Sequence, residues 1–519
     1  FDSGTGLDHP EFAGKNHRSL RLADVLADGS LCGSEVLAGP DACFTSDGNQ
    51  VAIDYTLIDP AYRDLLNRNG YFEGPGYNVH GTHVSGTIAA NRDGNGMHGV
   101  AFGADLTVAR LFANSVNYLT VVERNGGLYL DSKSVAGLGA SDSIFPQLYA
   151  QLNEQHVRAV NHSWGLTNEP DTAEKLDFYL SHPDLADSLG AIAEGSRTRG
   201  LIQVWAAGNT DSVNPSPEQA PIAGMYASMP REFTDVEPYW LAVVNVNQAL
   251  ELSNRSMRCG LAANWCLAAP GSNINSTVYG EDSVIDASPR EDNGNVILEV
   301  SGQAPTYAYG NLSGTSMAAP HVTGALGLLF ERFPYLDSAQ VRDVLLTTAR
   351  DLGAPGIDDV YGWGLMDLRK AIEGYGSLRV DTNVVMNQKA GGLKVWEGDA
   401  WDDWTNDIGG PGKLTKSGIG WLRLSGDNTF NGAVLQDGTL ELNGANTLTS
   451  AVEVQGGQFL LNGSLVSTAL NTTGGVSTVS SSGLLKDSNL TVNGGVVSFN
   501  GTQTGGTTTV GANGLLKGV

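Results

Sequence analysis

Five short blocks recur toward the C-terminal end of this chain, and their spacing restricts the fold more than any other feature. Leu424-Ser425-Gly426, Leu442-Asn443-Gly444, Leu461-Asn462-Gly463, Val479-Ser480-Ser481 and Phe499-Asn500-Gly501 follow one another at 18, 19, 18 and 20 residues. Each closes a short run of alternating apolar and polar residues, as in Gly438-Thr439-Leu440-Glu441-Leu442. Alternation of period two puts every second side chain on one face of a strand. A strand that returns at a fixed interval buries that face by stacking on its neighbours in the series, which is the signature of a β-solenoid. A disordered Gly/Thr/Ser linker has no reason to keep the alternation. Residues 412–519 therefore read as a β-helix. Residues 381–411, with aromatics near Trp396-Glu397-Gly398-Asp399-Ala400-Trp401, read as a linker or capping segment.

Residues 1–380 have a different texture. Buried-strand runs such as Leu106–Leu111 and Tyr239–Val246 alternate with helix-like stretches such as Ala339–Leu346. That alternation predicts an α/β domain around a parallel sheet. Two polar regions, about 12–75 and 165–198, look like insertions without a second reactive group. A chain of 519 residues is expected to hold at least two domains.

The charge balance excludes some partners. With 30 Lys+Arg against 56 Asp+Glu the formal net charge is −26, which disfavours nucleic acid and anionic membrane surfaces. No segment is apolar enough to span a bilayer, and no signal peptide is visible. The four cysteines fall into two local pairs, Cys32 with Cys43 and Cys259 with Cys266. Three pairings are open in principle, as are buried free thiols. Two short disulfide loops fit best and would imply export to an oxidising compartment.

Three blocks carry chemistry. Gly314-Thr315-Ser316-Met317-Ala318-Ala319-Pro320-His321 places a serine ahead of an apolar, helix-like run. A helix start supplies unpaired N–H groups and a positive dipole end, which favour a nucleophile whose attack builds an anion. Taken alone, such a serine is most simply a helix cap. Asp2-Ser3-Gly4-Thr5-Gly6 and His80-Gly81-Thr82-His83-Val84-Ser85-Gly86-Thr87 change that reading. The chain order Asp, His, Ser is one in which a nucleophile, a base and its orienting carboxylate are found. A metal pair made of His80 and His83 lacks further ligands, and the Gly-Thr between them suits close helix packing better. An α/β-hydrolase esterase needs its histidine after the serine, and the only later one, His321, lies five residues on in the same helix-like run, so that reading fails on chain order.

All three blocks resemble those around the active-site residues of subtilisin-like serine proteases, the subtilases. The resemblance implies Ser316 as nucleophile, His80 as general base and Asp2 as the carboxylate that orients it. It also implies that Asn209, in the strand-end block Ala206-Ala207-Gly208-Asn209, donates its side-chain amide to the oxyanion. Ser163, Trp164 and Gly165, at the end of a second strand, match the edge that pairs with substrate, and Ala207 and Gly208 are assigned to substrate binding with them. The family usually has a smaller apolar residue where Trp164 stands. No metal ligands are assigned and no cofactor is required. Asp93-Gly94-Asn95-Gly96 lies where some relatives bind calcium but lacks the carboxylates for a clear ligand set.

The repeats, with Gly412–Gly420 and Leu422–Gly426, resemble passenger segments of Gram-negative autotransporters, and Cys259–Cys266 resembles a block of their subtilase domains. The resemblance implies a three-layer α/β/α peptidase followed by a right-handed parallel β-helix. It implies a signal peptide and propeptide upstream and an outer-membrane translocator barrel downstream, which this chain does not include. The expected function is a secreted or cell-surface serine endopeptidase, a monomer acting on protein or peptide substrates through an acyl-enzyme. The alternative is an autotransporter adhesin or structural passenger with a protease-like head.

Overall fold

A computed structural model describes residues 1–135, 141–392 and 400–518. Trp396-Glu397-Gly398-Asp399 lie outside the described residues. The chain divides into two compact units, one of residues 1–325 with 358–362, the other of 326–357 with 363–519.

The first unit is built on four parallel strands: β1 (Ala159–His162), β2 (Ile202–Ala206), β3 (Trp240–Val246) and β4 (Cys266–Pro270), in the order β4-β3-β2-β1. All seven residues of β3 are buried. A parallel strand covered on both faces has no reason to alternate, so it reads as an unbroken apolar run. The strand expected over Leu106–Leu111 is shorter, Thr107–Val108. Beyond it the backbone turns to Asp2, whose N–H donates to Ala109 O (3.1 Å) while Leu111 N–H donates to Asp2 O (2.7 Å). Two antiparallel hairpins, Ser115–Arg124 with Gly127–Ser134 and Val284–Asp292 with Asn295–Ala304, were not anticipated.

Three helices matter in this unit. Helix α1 (His80–Ala89) is buried along nearly its whole length. Its glycines let it sit against backbone: a Cβ at position 81 would stand 2.3 Å from the Gly4 carbonyl oxygen. Helices α2 (Ile144–Glu154) and α3 (Ala186–Arg197) pack together, with Gly195 so close to Tyr149 that a Cβ would meet its ring at 2.2 Å. Helix α3 and the shorter Ala173–Leu180 lie inside the polar region 165–198. Both cysteine pairs are bonded, Cys32–Cys43 and Cys259–Cys266.

Helix α4 (Thr315–Arg332) contains Pro320, which cannot donate to the carbonyl four residues earlier. That carbonyl, Ser316 O, accepts instead from the Ser163 hydroxyl at 2.8 Å. The proline thus frees a backbone acceptor that a side chain from the end of β1 takes up.

The second unit contains helix α5 (Ser338–Thr347), started by a reciprocal capping box. Asp337 accepts from Gln340 N–H at 2.8 Å and the Gln340 side chain accepts from Asp337 N–H at 3.0 Å. The repeats form stacked parallel coils. One face runs through Thr382–Val385, Leu414–Ser417, Ala433–Leu435 and Val452–Val454. A second runs through Trp401–Trp404, Trp421–Leu424, Thr439–Leu442 and Gln458–Leu461. Longer strands at Leu470–Val479 and Leu490–Phe499 join both faces, and short strands from Ala445–Asn446 to Thr502–Thr504 form a third. The alternating Leu and Phe side chains point inward and are fully buried, among them Leu422, Leu440 and Phe459. The segment 381–411 supplies strands Thr382–Val385 and Trp401–Trp404 to this stack, so the coils begin earlier than the repeat pattern marks. No helix among the described residues is long and apolar enough to cross a membrane.

Candidate active site

Asp2 and His80 come together from opposite ends of a 78-residue separation, Asp2 Oδ1 accepting from His80 Nδ1 at 2.8 Å. The same oxygen accepts from Ser3 N–H at 2.6 Å. A carboxylate at Nδ1 makes that nitrogen the protonated one and leaves Nε2 as the basic lone pair. Burial pushes the Asp2 carboxyl up, but the His80 charge and hydrogen bonds outweigh it and the net shift is down. Burial likewise opposes a charged His80, yet Asp2 more than compensates, and the imidazole is held above its ordinary value. The His80 side chain remains about one-third exposed (32%).

Asp2 and His80 line one cavity with Asn78, Phe112, Ser163 and Trp164. A second cavity, of about 190 Å³, is lined by Ser316, Asn209, Gly208, Thr315 and Glu169, and shares Trp164 and Gly165 with the first. Ser316 opens α4, where the first N–H groups lack intrahelical partners. Its hydroxyl donates to Ser163 O at 3.1 Å. No hydrogen bond joins it to His80 among the described residues.

Asn209 is oriented by Thr315. Its Oδ1 accepts from Thr315 N–H at 2.9 Å and lies 3.2 Å from the Thr315 hydroxyl. A backbone N–H can only donate, so the atom facing it is the amide oxygen and Nδ2 faces the other way. Nδ2 has no hydrogen-bond partner among the described residues, leaving one donor beside Ser316. Gly208 is needed at positive φ (116°), and a Cβ there would meet Met257 Sδ at 2.5 Å.

Trp164 lines both cavities while its ring is packed in the core. Its indole packs on Phe145, Trp205 and Tyr226 with centroid separations of 6.2, 5.1 and 4.9 Å. Its Nε1 donates to His162 Nδ1 at 3.2 Å. His162 stacks on Trp205 at 3.9 Å, and burial holds it neutral, well below its ordinary value. A bulky residue is accommodated because the core behind it is aromatic. Ala207 lies behind the cavity wall, with its N–H and carbonyl taken by Val243 O and Gly224 N–H, and Ala206 lines the cavity in its place.

His83 is turned away from His80, its Nε2 lying 2.8 Å from Ile274 O and 3.0 Å from Gly310 O. Among the described residues no three His, Cys, Asp or Glu side chains gather as metal ligands. Asp93 Oδ1 accepts from Asn95 N–H at 2.9 Å, as in an ordinary Asx turn. Glu169 was not anticipated. It lies four residues beyond Gly165, and no local pattern distinguishes it from other exposed-looking acids in a polar stretch.

A serine at a helix start, a histidine hydrogen-bonded to a carboxylate and an oriented amide donor, carried on a parallel α/β sheet, are the groups that a serine-hydrolase site uses. The chain belongs to the subtilase family, whose model matches residues 1–364. It is 32% identical over 440 residues to an extracellular serine protease of Serratia marcescens, covering 73% of this chain and 38% of that protein. It is 30% identical over 402 residues to serotype-specific antigen 1 of Mannheimia haemolytica, covering 71% of this chain and 38% of that protein. The autotransporter lipoprotein NalP of Neisseria meningitidis serogroup B is 28% identical over 349 residues, 59% of this chain and 28% of NalP. The chain thus spans well under half the length of these curated relatives.

Proposed function

We propose that this chain is a secreted or cell-surface serine endopeptidase, the passenger part of an autotransporter, acting on protein or peptide substrates. The observation that carries the reading is the Asp2–His80 hydrogen bond (2.8 Å), beside a cavity that holds Ser316 and the unpaired amide of Asn209. Ser316 Oγ attacks the scissile carbonyl while His80 Nε2 takes its proton. Asp2 stabilises the imidazolium. The oxyanion is held by Asn209 Nδ2 and by backbone N–H groups at the start of α4. His80 then protonates the departing amine, and water, deprotonated by His80, releases the acyl group. The peptidase is assigned to residues 1–380 and the display stalk to 412–519. An outer-membrane translocator is the partner that the similarity to the autotransporter lipoprotein NalP suggests, and the passenger acts as a monomer. The test is treatment with a fluorophosphonate and mapping of the adduct. Labelling of Ser316 with hydrolysis of a peptide amide supports the reading. An unlabelled, folded chain would instead be an adhesin or structural passenger with a protease-like head.

Two outcomes follow from the site. Asn209→Ala should lower kcat by on the order of 10²–10³ with little change in KM, because the amide acts only once negative charge has formed. A large KM rise at constant kcat would make it a substrate-positioning group. The pH dependence has a definite sign. His80 must be neutral to act, and Asp2 holds its pKa above the ordinary value, so kcat/KM should rise with pH along a limb centred above about 6.5. Asp2→Asn removes the charge that raises it, so the limb measured on the residual activity should move to lower pH.

A further inference from the structure

Glu169 is a carboxylate in the wall of the Ser316 cavity with no countercharge among the described residues. Oε1 accepts from Leu166 N–H and Oε2 from Met225 N–H, both at 2.8 Å. These two bonds fix the direction of the carboxylate and leave each oxygen a further lone pair. No Lys, Arg or His lies within ion-pair distance of it among the described residues. Two glycines make room for it: a Cβ at Gly165 would stand 2.6 Å from Oε1 and one at Gly224 2.4 Å from Cδ. Burial pushes the carboxyl up despite the two N–H donors, which is the mark of a charge lacking its partner. A carboxylate left in this condition costs stability that a purely structural loop clamp would not require, since an amide or hydroxyl can also accept from N–H.

We propose that Glu169 selects a basic side chain, Lys or Arg, for the substrate residue preceding the scissile bond. This rests on the peptidase reading above and adds the substrate class. The cavity adjoins both Ser316 and Asn209, so the side chain of the acyl residue enters it when its carbonyl meets the nucleophile. The Trp164 ring is committed to the aromatic core and leaves the cavity to the substrate. Met257 offers apolar surface for the methylene stem of a Lys or Arg, and Glu169 meets its charged head. The net charge of −26 draws cationic peptides toward the molecule as a whole.

The experiment uses the full chain and peptide amides that differ only at this residue: Arg, Lys, Gln, Met, Phe and Glu. Wild type should cleave the Arg and Lys peptides with kcat/KM about 10–100-fold above the Gln and Met peptides, the range expected for a charge-assisted hydrogen bond. In Glu169→Gln that ratio should fall to near one. The ratio is internal to each preparation, so a general loss of folded enzyme does not move it. A wild type that prefers Gln, Met or Phe overturns the proposal, as does a Glu169→Gln enzyme that keeps the basic preference. If Glu169→Gln fails to fold, the wild-type ratio alone decides. Fluorophosphonate labelling separates the two levels. A chain labelled at Ser316 that disfavours basic residues loses only this proposal. A folded chain that neither labels nor cleaves loses the peptidase reading and this proposal with it.

Discussion

Replacing Ser316 with alanine should lower kcat for peptide hydrolysis by on the order of 10⁶ and leave the fold unchanged, since the members of such a triad act as one unit. The structural cost of the change is small. The hydroxyl makes one hydrogen bond, to Ser163 O, and that carbonyl sits at the edge of an open cavity. The contacts that hold the start of α4 belong to its backbone and to buried neighbours. Ser163 Oγ still donates to the residue-316 carbonyl freed by Pro320, and Met317, Ala318 and Ala319 remain buried. The circular dichroism spectrum and thermal midpoint should therefore match wild type while turnover vanishes. A variant that hydrolyses peptide amides at a near-native rate would remove Ser316 from the mechanism.

What could be read in the sequence depended on how local the cause was. Strand β3 was legible because burial on both faces turns it into one apolar run, Trp240–Val246. Helix α5 was legible as the helix-like stretch Ala339–Leu346, whereas the Asp337–Gln340 capping box that starts it comes from the structure. The coils were legible because the same inward Leu or Phe returns once per turn. The blocks around Asp2, His80 and Ser316 were legible for another reason. Close backbone approach, as at Gly81 against Gly4, admits few residue types and so leaves a dense local pattern. Glu169 had no such signature, because its meaning comes from Met225 N–H, 56 residues away, and from the absence of a cation beside it among the described residues. Pro320 lies inside α4, and the Ser163 hydroxyl that takes up the carbonyl it frees is 153 residues away, a partner that no local pattern shows. The strand Trp401–Trp404 was read as part of a linker because its inward positions are Asp and Trp where later coils carry Leu.

Asp402→Ala should destabilise the second unit by about 3–5 kcal/mol, the usual cost of leaving one member of a buried ion pair alone. Arg332, at the end of α4, donates through both terminal nitrogens to the two oxygens of Asp402, each at 2.8 Å. The side chains are 7% and 0% exposed. Tyr335 donates its hydroxyl to the same carboxylate, Trp404 Nε1 donates to Tyr335 Oη at 2.9 Å, and Arg332 Nε donates to Ile372 O at 2.8 Å. Each polar group in this cluster is satisfied by another, so removing the carboxylate strands a guanidinium and a phenol together. The pair itself need not be favourable relative to apolar packing, and Arg332→Met with Asp402→Leu should recover much of the loss. The cluster also bears on where the peptidase ends. The family match stops at residue 364, yet Arg332 lies inside it and Asp402 outside. A chain cut at residue 380 lacks Asp402 and should show the full deficit, whereas one cut at residue 425 keeps Trp421–Leu424 paired beside Trp401–Trp404 and should retain the network. Urea denaturation of the Asp402→Ala chain, followed by tryptophan fluorescence, measures the effect directly. A loss below about 1 kcal/mol, the scale of an exposed pair, would mean that the first coil rests on α4 without depending on this charge, and the boundary at 380 would stand.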